Sequence, residues 1–112
     1  MKNIRAAADN FIVVFVTAKD QEEAQKISRG LVGQELIACA NILSGIKSFF
    51  WWEGKIDQAD EVLLVMKTQQ KFFPRVVKAV KALHSYSVPE IIALPIVDGN
   101  EDYLKWVSSV TR

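Results

Sequence analysis

The sequence predicts a single α+β domain whose antiparallel sheet carries one unusually long β-hairpin. Three observations lead to this prediction. The chain has 112 residues, enough for one compact core. Four strand-like runs are interrupted by two segments with helical spacing, and residues 46–53 alternate in a way that places large aromatic side chains on both faces of a strand. We expect the domain to occupy residues 11–112, preceded by a partly disordered segment over residues 1–10.

The first strand and helix follow from local composition. Residues 11–18 are continuously apolar and rich in β-branched side chains, which predicts a strand buried on both faces in the middle of the sheet. Asp20 is the predicted N-cap of a helix, and Glu23 three residues later completes a capping-box pattern. The apolar stripe of this helix is predicted to comprise Ala24, Ile27, Leu31 and Val32.

The hairpin comes next, with strand two predicted over residues 37–53 and strand three over residues 56–68. A bend is expected near Ser44-Gly45, and Gly54 supplies the positive φ that a tight hairpin turn needs. One core can cover only one face of such a hairpin, so Phe49 and Trp51 on the second face are predicted to meet another subunit. The alternative is that a helix of the same chain covers them.

The second half of the chain predicts a helix, an edge strand and a short terminal helix. Apolar residues between Phe73 and Leu83 recur at helical spacing, with Pro74 in the first turn. Residues 90–97 predict strand four, which must lie at an edge or be bulged because Pro95 cannot donate a ladder hydrogen bond. The last helix is predicted to begin near Asn100.

The element order is therefore βαββαβ plus a C-terminal helix. Right-handed crossovers then place strands one and three in the centre, strands two and four at the edges, and both main helices on one face of the sheet. This arrangement is the ferredoxin-like split βαβ fold. It leaves the other face of the sheet bare, which is a second reason to expect subunits to pack together.

Charge and cysteine content exclude several kinds of partner. The 14 basic and 13 acidic residues nearly cancel, so the chain lacks the long-range positive field of nucleic-acid-binding proteins. Cys39 is the only cysteine, which rules out an intrachain disulfide and is typical of the reducing cytoplasm. No apolar run is long enough for a membrane span and no targeting segment is recognised. We expect a cytoplasmic protein without nucleic-acid or membrane partners.

Six segments of the chain resemble the CutA divalent-cation-tolerance family. They span the chain from about Phe11 to the C-terminus in the right order: Val16-Thr-Ala, Leu36-Ile-Ala-Cys-Ala-Asn-Ile with Gly45-Ile, Trp51-Trp-Glu-Gly-Lys-Ile, Glu61-Val-Leu-Leu with Lys67-Thr, Val88-Pro-Glu-Ile-Ile-Ala-Leu-Pro, and Asp102-Tyr-Leu-Lys-Trp. The resemblance implies a ferredoxin-like fold, a stable homotrimer similar to PII-type signalling proteins, a cytoplasmic location and a link to tolerance of copper(II) or another divalent cation. It implies no enzymatic activity.

Two residues are the metal-ligand candidates. The resemblance implies copper ligands at a cysteine that ends strand one and at histidines just after the second helix. This chain has Val16 and Leu83 at two of those positions, so only His84 carries over. His84 equally fits a structural role as a cap of the last helical carbonyls, and Cys39 fits either a thiolate ligand or a small buried side chain.

A second set of residues predicts a small-molecule site at a subunit boundary. Polar or amphipathic side chains embedded in the family motifs make up this set, namely Lys67, Tyr86, Glu90, Trp52 and Tyr103. Lys67 ends a central strand and needs a partner, for which Glu90 is the natural candidate. The pair would be either a structural ion pair or part of an anion or metabolite pocket, as the similarity to PII-type proteins suggests.

The sequence contains one histidine and no nucleophile motif, so we predict a protein without catalytic activity. The first strand-to-helix loop lacks the arginine and glycines of an acylphosphatase-like hydrolase. The aromatics crowd onto strand two rather than onto the two central strands that bind RNA in other proteins of this fold. The predicted function is a homotrimeric divalent-metal-binding protein. The alternative is a PII-like small-molecule sensor or adaptor that acts through a small molecule or protein partner.

Overall fold

A computed structural model describes residues 10–112, and most of the N-terminal segment predicted over residues 1–10 lies outside this range. Four strands form one antiparallel sheet in the order β2-β3-β1-β4, so the predicted centre and edges are confirmed. The strands are β1 (Phe11–Ala18), β2 (Cys39–Trp52), β3 (Lys55–Gln69) and β4 (Ile91–Pro95). The helices are α1 (Gln21–Gly33), α2 (Phe73–Leu83), which follows a short 3₁₀ turn, and α3 (Glu101–Val110).

The main core lies between the sheet and the two helices α1 and α2. Alternate residues of the central strands point into it, because successive side chains of a strand face opposite sides of the sheet. The fully buried residues of this core include Val14, Val16, Leu64 and Met66 from the strands and Ile27, Leu31, Val76 and Val80 from the helices. The ferredoxin-like arrangement with both main helices on one face is therefore confirmed.

Helix α1 has a side-chain cap at its start and a close contact with α2 near its end. The Asp20 carboxylate accepts a hydrogen bond of 2.9 Å from the Glu23 backbone N–H, as predicted for an N-cap. A Cβ at Gly30 would lie 2.8 Å from the Leu83 side chain, so the glycine permits α1 and α2 to approach closely. The prediction for Val32 was wrong, since this side chain is 43% exposed beyond the stripe that packs on the sheet.

The hairpin has the predicted turn and bend. Glu53 and Gly54 both have positive φ, at 50° and 81°, which is the combination that a two-residue type I′ turn requires. The pairing register between β2 and β3 shifts between Leu43 and Ile46, and Gly45 there has a φ of 80°. The bulge bends the hairpin where it leaves the core.

The outer half of the hairpin projects into solvent. Phe49 is 65% exposed and Trp51 is 74% exposed. Within residues 10–112 no helix covers them, so the same-chain alternative is wrong for the part of the chain that the structure describes. The described domain measures 50 × 26 × 23 Å because the hairpin extends its long axis.

Strand β4 is shorter than predicted, and α3 closes one end of the sheet. The strand stops at Pro95, which pairs with Ile12 at the sheet edge. Helix α3 begins after Asn100, whose side chain accepts a hydrogen bond from the Asp102 backbone N–H. Its buried residues Leu104 and Val107 pack against Phe11 and Ala38 in a second small core. Among residues 10–112, no helix has the length and apolar character required to cross a membrane.

The face of the sheet opposite α1 and α2 is mostly uncovered. Strand alternation places on it a set of apolar side chains and a polar corner near the start of β2. The apolar members are half-buried or exposed in the described chain: Val13, Phe15, Leu43, Leu63, Val65, Ile92 and Leu94. The bare face predicted from the topology is confirmed.

Candidate functional site

Two polar clusters contain most of the residues singled out from the sequence, and they lie at opposite ends of β1. The His84 cluster consists of His84, Glu23, Tyr86 and Glu61, beside the end of β1 and the end of α2. The Lys67 cluster consists of Lys67, Cys39, Asn41 and Tyr103, on the uncovered sheet face. His84 contacts Thr17, whereas Lys67 pairs with Val13, so the clusters are separated by four strand residues, about 13 Å.

Both ring nitrogens of His84 form hydrogen bonds inside the protein. The side chain is fully buried, and Nε2 lies 2.7 Å from the Thr17 carbonyl oxygen, which can only accept. Nδ1 lies 3.0 Å from the Tyr86 backbone N, which can only donate. These partners assign the ring proton to Nε2 and occupy the Nδ1 lone pair. In this arrangement His84 presents no free nitrogen to a metal ion.

The structural reading of His84 differs in detail from the predicted cap. Its backbone N–H, not its ring, bonds to the last turn of α2, with 2.9 Å between this nitrogen and the Val80 carbonyl oxygen. The ring instead ties the residue after α2 to the end of β1. His84 therefore joins the second helix to the central strand of the sheet.

Glu23 is a buried carboxylate that receives backbone hydrogen bonds from two different loops. Lys19 N–H donates to Oε1 over 3.1 Å, and Ser85 N–H donates to Oε2 over 2.7 Å. Burial raises the pKa of this carboxyl, but the hydrogen bonds from Ser85 and Lys19 outweigh that effect and the net pKa is lowered below 4.5. Glu23 thus holds the loop after α2 against the start of α1 as an ionised group.

Tyr86 donates its phenolic O–H to a second buried carboxylate. The distance from Oη to Oε2 of Glu61 is 2.7 Å. Burial and this hydrogen bond raise the pKa of Tyr86 far above its ordinary value of 10, so the phenol stays protonated at any physiological pH. The Tyr86 ring also packs against the His84 imidazole, with 4.7 Å between centroids. The contacts of Tyr86 are therefore those of a structural residue that links the loop to β3.

The Lys67 cluster assembles on the uncovered face because β2 and β3 pair in a particular register. Cys39 and Lys67 are direct antiparallel partners, so their Cβ atoms lie about 5 Å apart on the same face. Lys67 Nζ donates to the Asn41 side-chain carbonyl, two residues along β2. The prediction that Glu90 is the partner of Lys67 was wrong within this chain. Lys67 pairs with Val13 of β1. Glu90 lies just before Ile91, which pairs with Val16, three residues farther along β1.

Tyr103 brings α3 into this cluster. Its Oη lies 3.2 Å from Cys39 Sγ, and either atom can donate. Burial and the Cys39 contact raise the pKa of Tyr103 to about 12. Cys39 itself is half-buried, between the buried and the accessible alternatives, because only the core side of β2 is covered by helices. Its thiol is therefore held in place by a phenol and stays partly accessible.

The other predicted site residues lie elsewhere. Trp52 sits next to the hairpin turn and is 52% exposed, and Glu90 is exposed just before β4. The five residues predicted for a small-molecule site thus occupy four separate places in one chain, and only Lys67 and Tyr103 share a cluster. Three residues of the clusters were not predicted as site residues: Glu61, Asn41 and the fully engaged Glu23. Only their three-dimensional neighbours distinguish them from ordinary surface side chains.

The two other positions at which the family resemblance implies metal ligands are apolar and packed in this chain. Val16 is fully buried in the main core, and Leu83 packs against that core beside Gly30. No group of three or more His, Cys, Asp or Glu side chains that could hold a metal ion occurs within residues 10–112. The described part of one chain therefore contains no preformed metal site.

Comparison with known proteins agrees with the motifs. The model of the CutA1 divalent ion tolerance protein family matches residues 12–110. This chain belongs to the CutA1 family. The divalent-cation tolerance protein CutA of Archaeoglobus fulgidus is 47% identical over 103 residues, covering 92% of this chain and 98% of that protein. CutA from Thermus thermophilus is 44% identical over 99 residues, covering 88% and 96%.

Solved CutA1 structures share the whole fold. The crystal structure of CutA1 from Oryza sativa has a TM-score of 0.91 and 42% identity, covering 95% of this chain and 97% of that one. CutA1 from Thermus thermophilus has a TM-score of 0.90 and 43% identity, covering 91% and 99%. The chain spans only 57% of the full chloroplastic CutA 1 sequence of rice, so the longer relatives carry additional sequence.

Proposed function

We propose that this chain forms a homotrimer that serves divalent-cation tolerance by binding the cation, with copper as the principal ion and without catalysis. Membership of the CutA1 family supports the link to divalent cations, because close relatives are named for that tolerance. The single structural observation that carries the proposal is the partly accessible Cys39 thiol on an uncovered, largely apolar sheet face.

Assembly is supported by the apolar surface that the described chain leaves in solvent. The outer hairpin exposes Phe49, Trp51 and Ile56 by 65% or more, and the uncovered sheet face adds further aliphatic side chains. Exposed apolar surface of this extent marks an interaction site on a protein. A second and a third copy of the same chain would cover both surfaces, in keeping with the trimer that the family resemblance implies.

The geometry favours Cys39 over His84 as the protein's contribution to a cation site. A thiolate is a soft ligand that suits copper, whereas both nitrogens of His84 are committed to Thr17 and Tyr86. One sulfur is not a complete coordination sphere. The remaining ligands would come from equivalent positions of the other copies or from small molecules in solution.

A buffered copper(II) competition titration tests this proposal, with ions counted per assembly. We expect saturable binding by the wild type at a simple ratio, loss of binding in Cys39→Ser, and retention in His84→Gln, whose amide can still donate to Thr17. Retention in Cys39→Ser together with loss in His84→Gln would move the site to the end of α2. Absence of saturable binding in the wild type would refute copper binding.

The absence of catalysis and the cytoplasmic location are further parts of the proposal. Both ring nitrogens of His84 are hydrogen-bonded within the protein, and the Cys39 thiol contacts the Tyr103 phenol. The two residues therefore do not form a base–nucleophile pair, which supports a non-enzymatic role. The unpaired cysteine supports a reducing compartment. Relatives are named for different compartments, chloroplastic in rice and periplasmic in Archaeoglobus fulgidus, so fractionation of the source cells is the appropriate test.

A further inference from the structure

We propose that the Lys67 cluster binds a small oxyanion, such as a phosphate-type or carboxylate group, with Lys67 Nζ as the principal donor. The cluster would thus be an anion site next to the thiol that the proposed function assigns to the cation. The inference rests on the proposed function in one respect, namely that assembly would bury the Lys67 cluster more deeply. Anion binding can be measured without any metal.

The first observation is the isolation of the Lys67 charge. Across the sheet its row runs from Cys39 through Lys67 to Val13 and Leu94, and the next row on the same face contains Val65 and Phe15. The ion pairs of residues 10–112 leave Lys67 without a carboxylate within 4.0 Å. Lys67 is half-buried as a residue and its ammonium lies at the exposed end, where its partner within the chain is an uncharged amide and not a counter-charge.

The second observation is the supply of hydrogen-bond donors around that charge. Asn41 accepts from Lys67 through its side-chain oxygen, so its NH₂ group points to other partners. Two further N–H groups of Lys67 stay available, and the contact between Tyr103 and Cys39 uses only one of their two hydrogens. The cluster therefore combines one positive charge with several free donors and no carboxylate, which is the chemistry that recognises an oxyanion.

The position of Tyr103 adds geometry to this chemistry. The phenol comes from α3, whereas Lys67, Asn41 and Cys39 come from two adjacent strands. An anion at Lys67 would therefore be held between the sheet and a helix. Trp106 packs against Tyr103 on the same helix in a tilted arrangement, with 5.5 Å between ring centroids.

An oxyanion at Lys67 would also assist the neighbouring cation site. Lys67 is the direct cross-strand neighbour of Cys39, so its positive charge opposes the binding of a divalent cation at Cys39. A bound anion offsets that charge and brings oxygen atoms close to the sulfur. The free anion is the source we favour, and a carboxylate of another copy of the chain is the alternative source of the same chemistry.

The experiment is calorimetric titration of the metal-free assembly with inorganic phosphate, sulfate or acetate, at constant ionic strength set with chloride and in the presence of a chelator. We expect saturable binding of at least one of them by the wild type. Lys67→Met should weaken this binding about tenfold or more, since a charge-assisted hydrogen bond is lost. Lys67→Arg should retain it. Lys78→Met, on the exposed face of α2, is the matched control and should bind as the wild type does.

A second variant keeps the test decisive where Lys67→Met fails to fold. Asn41→Asp places a carboxylate against Lys67 and supplies the missing counter-charge from within the chain. We expect it to abolish binding of the added anion and to raise the midpoint of thermal unfolding. Wild-type protein that binds none of the three anions would overturn the free-anion site, whatever the copper titration shows, and would point to a partner carboxylate. Equal binding by wild type and Lys67→Met, or unchanged binding in Asn41→Asp, would overturn it as well.

Discussion

Replacement of His84 by alanine tests whether this histidine has a structural role in the chain. The substitution would leave the Thr17 carbonyl oxygen and the Tyr86 N–H without partners next to a fully buried ring. Each unmade buried hydrogen bond costs about 1–3 kcal/mol, and the cavity left by the imidazole adds to the loss. We expect the free energy of unfolding to fall by about 3–5 kcal/mol in total.

Two conservative variants separate the contributions of the two nitrogens. A glutamine amide reaches the position of Nε2 and can donate to Thr17, whereas an asparagine oxygen reaches the position of Nδ1 and can accept from Tyr86. Each should recover about half of the loss. Urea unfolding at one fixed protein concentration measures these differences, because the stability of an assembly depends on concentration.

A small effect would refute this reasoning. His84→Ala with a loss below about 1 kcal/mol would mean that the ring's hydrogen bonds contribute little and that the nitrogens are available to a ligand. If the same variant also lost copper, His84 would be the metal ligand and the hydrogen bonds to Thr17 and Tyr86 would not persist in solution.

Three further predictions concern the His84 cluster and the hairpin turn. The pKa of Glu23 is lowered in the folded state, so its contribution to stability is present above pH 4.5 and is lost as the pH falls through the folded pKa. Urea unfolding should therefore show that Glu23→Gln is less stable than the wild type at pH 7. The stability of this variant should also decline less than that of the wild type between about pH 5 and pH 3. Tyr86→Phe removes the donor to a buried carboxylate and should cost about 1.5–3 kcal/mol in the same assay at pH 7. In Tyr103→Phe, which leaves Tyr86 as the one tyrosine, the tyrosine absorbance should stay unchanged up to pH 11 because the pKa of Tyr86 is raised. Gly54→Ala forces an L-residue to a φ of 81° and should lower stability by about 1–2 kcal/mol, whereas Gly33→Ala, with open space around its Cβ, should not destabilise the protein.

The sequence was sufficient for the fold because its local signals agree with one another. The continuous apolar run of β1 and the right-handed crossovers predicted the central strands, and Pro95 marked an edge. Asp20 capped α1 and Gly54 formed the hairpin turn, as the residue types require. These features depend on interactions over a few residues, so the pattern along the chain is enough to predict them.

The candidate sites depend on contacts that the pattern along the chain does not contain. Glu23 was predicted only as part of a capping box, yet its carboxylate is held by Ser85, 62 residues away. Lys67 was assigned to Glu90 on the ground that a charge needs a partner, but the register of β1 with β3 and β4 separates them. The physical rule was sound. The choice of partner required the register, and Asn41 is an uncharged residue that a search for ion pairs overlooks.

The same limit applies to Cys39. The sequence left Cys39 open between a thiolate ligand and a small buried side chain, because its exposure depends on which face of the sheet has helices. The contact with Tyr103, 64 residues away, is likewise a product of the way α3 closes the sheet. These features decide between a structural cysteine and a ligand, and they come from tertiary structure.

Native mass spectrometry of the wild-type protein at micromolar concentration tests the central claim most directly, because it counts chains and copper ions in one spectrum. We predict an assembly of three chains, three times the 12.6 kDa of one, that carries a fixed number of copper ions. The double variant Phe49→Ser/Trp51→Ser should shift the assembly towards single chains, with its fold intact by circular dichroism. A wild-type spectrum dominated by the monomer, or by a trimer without bound copper, would contradict the proposed function.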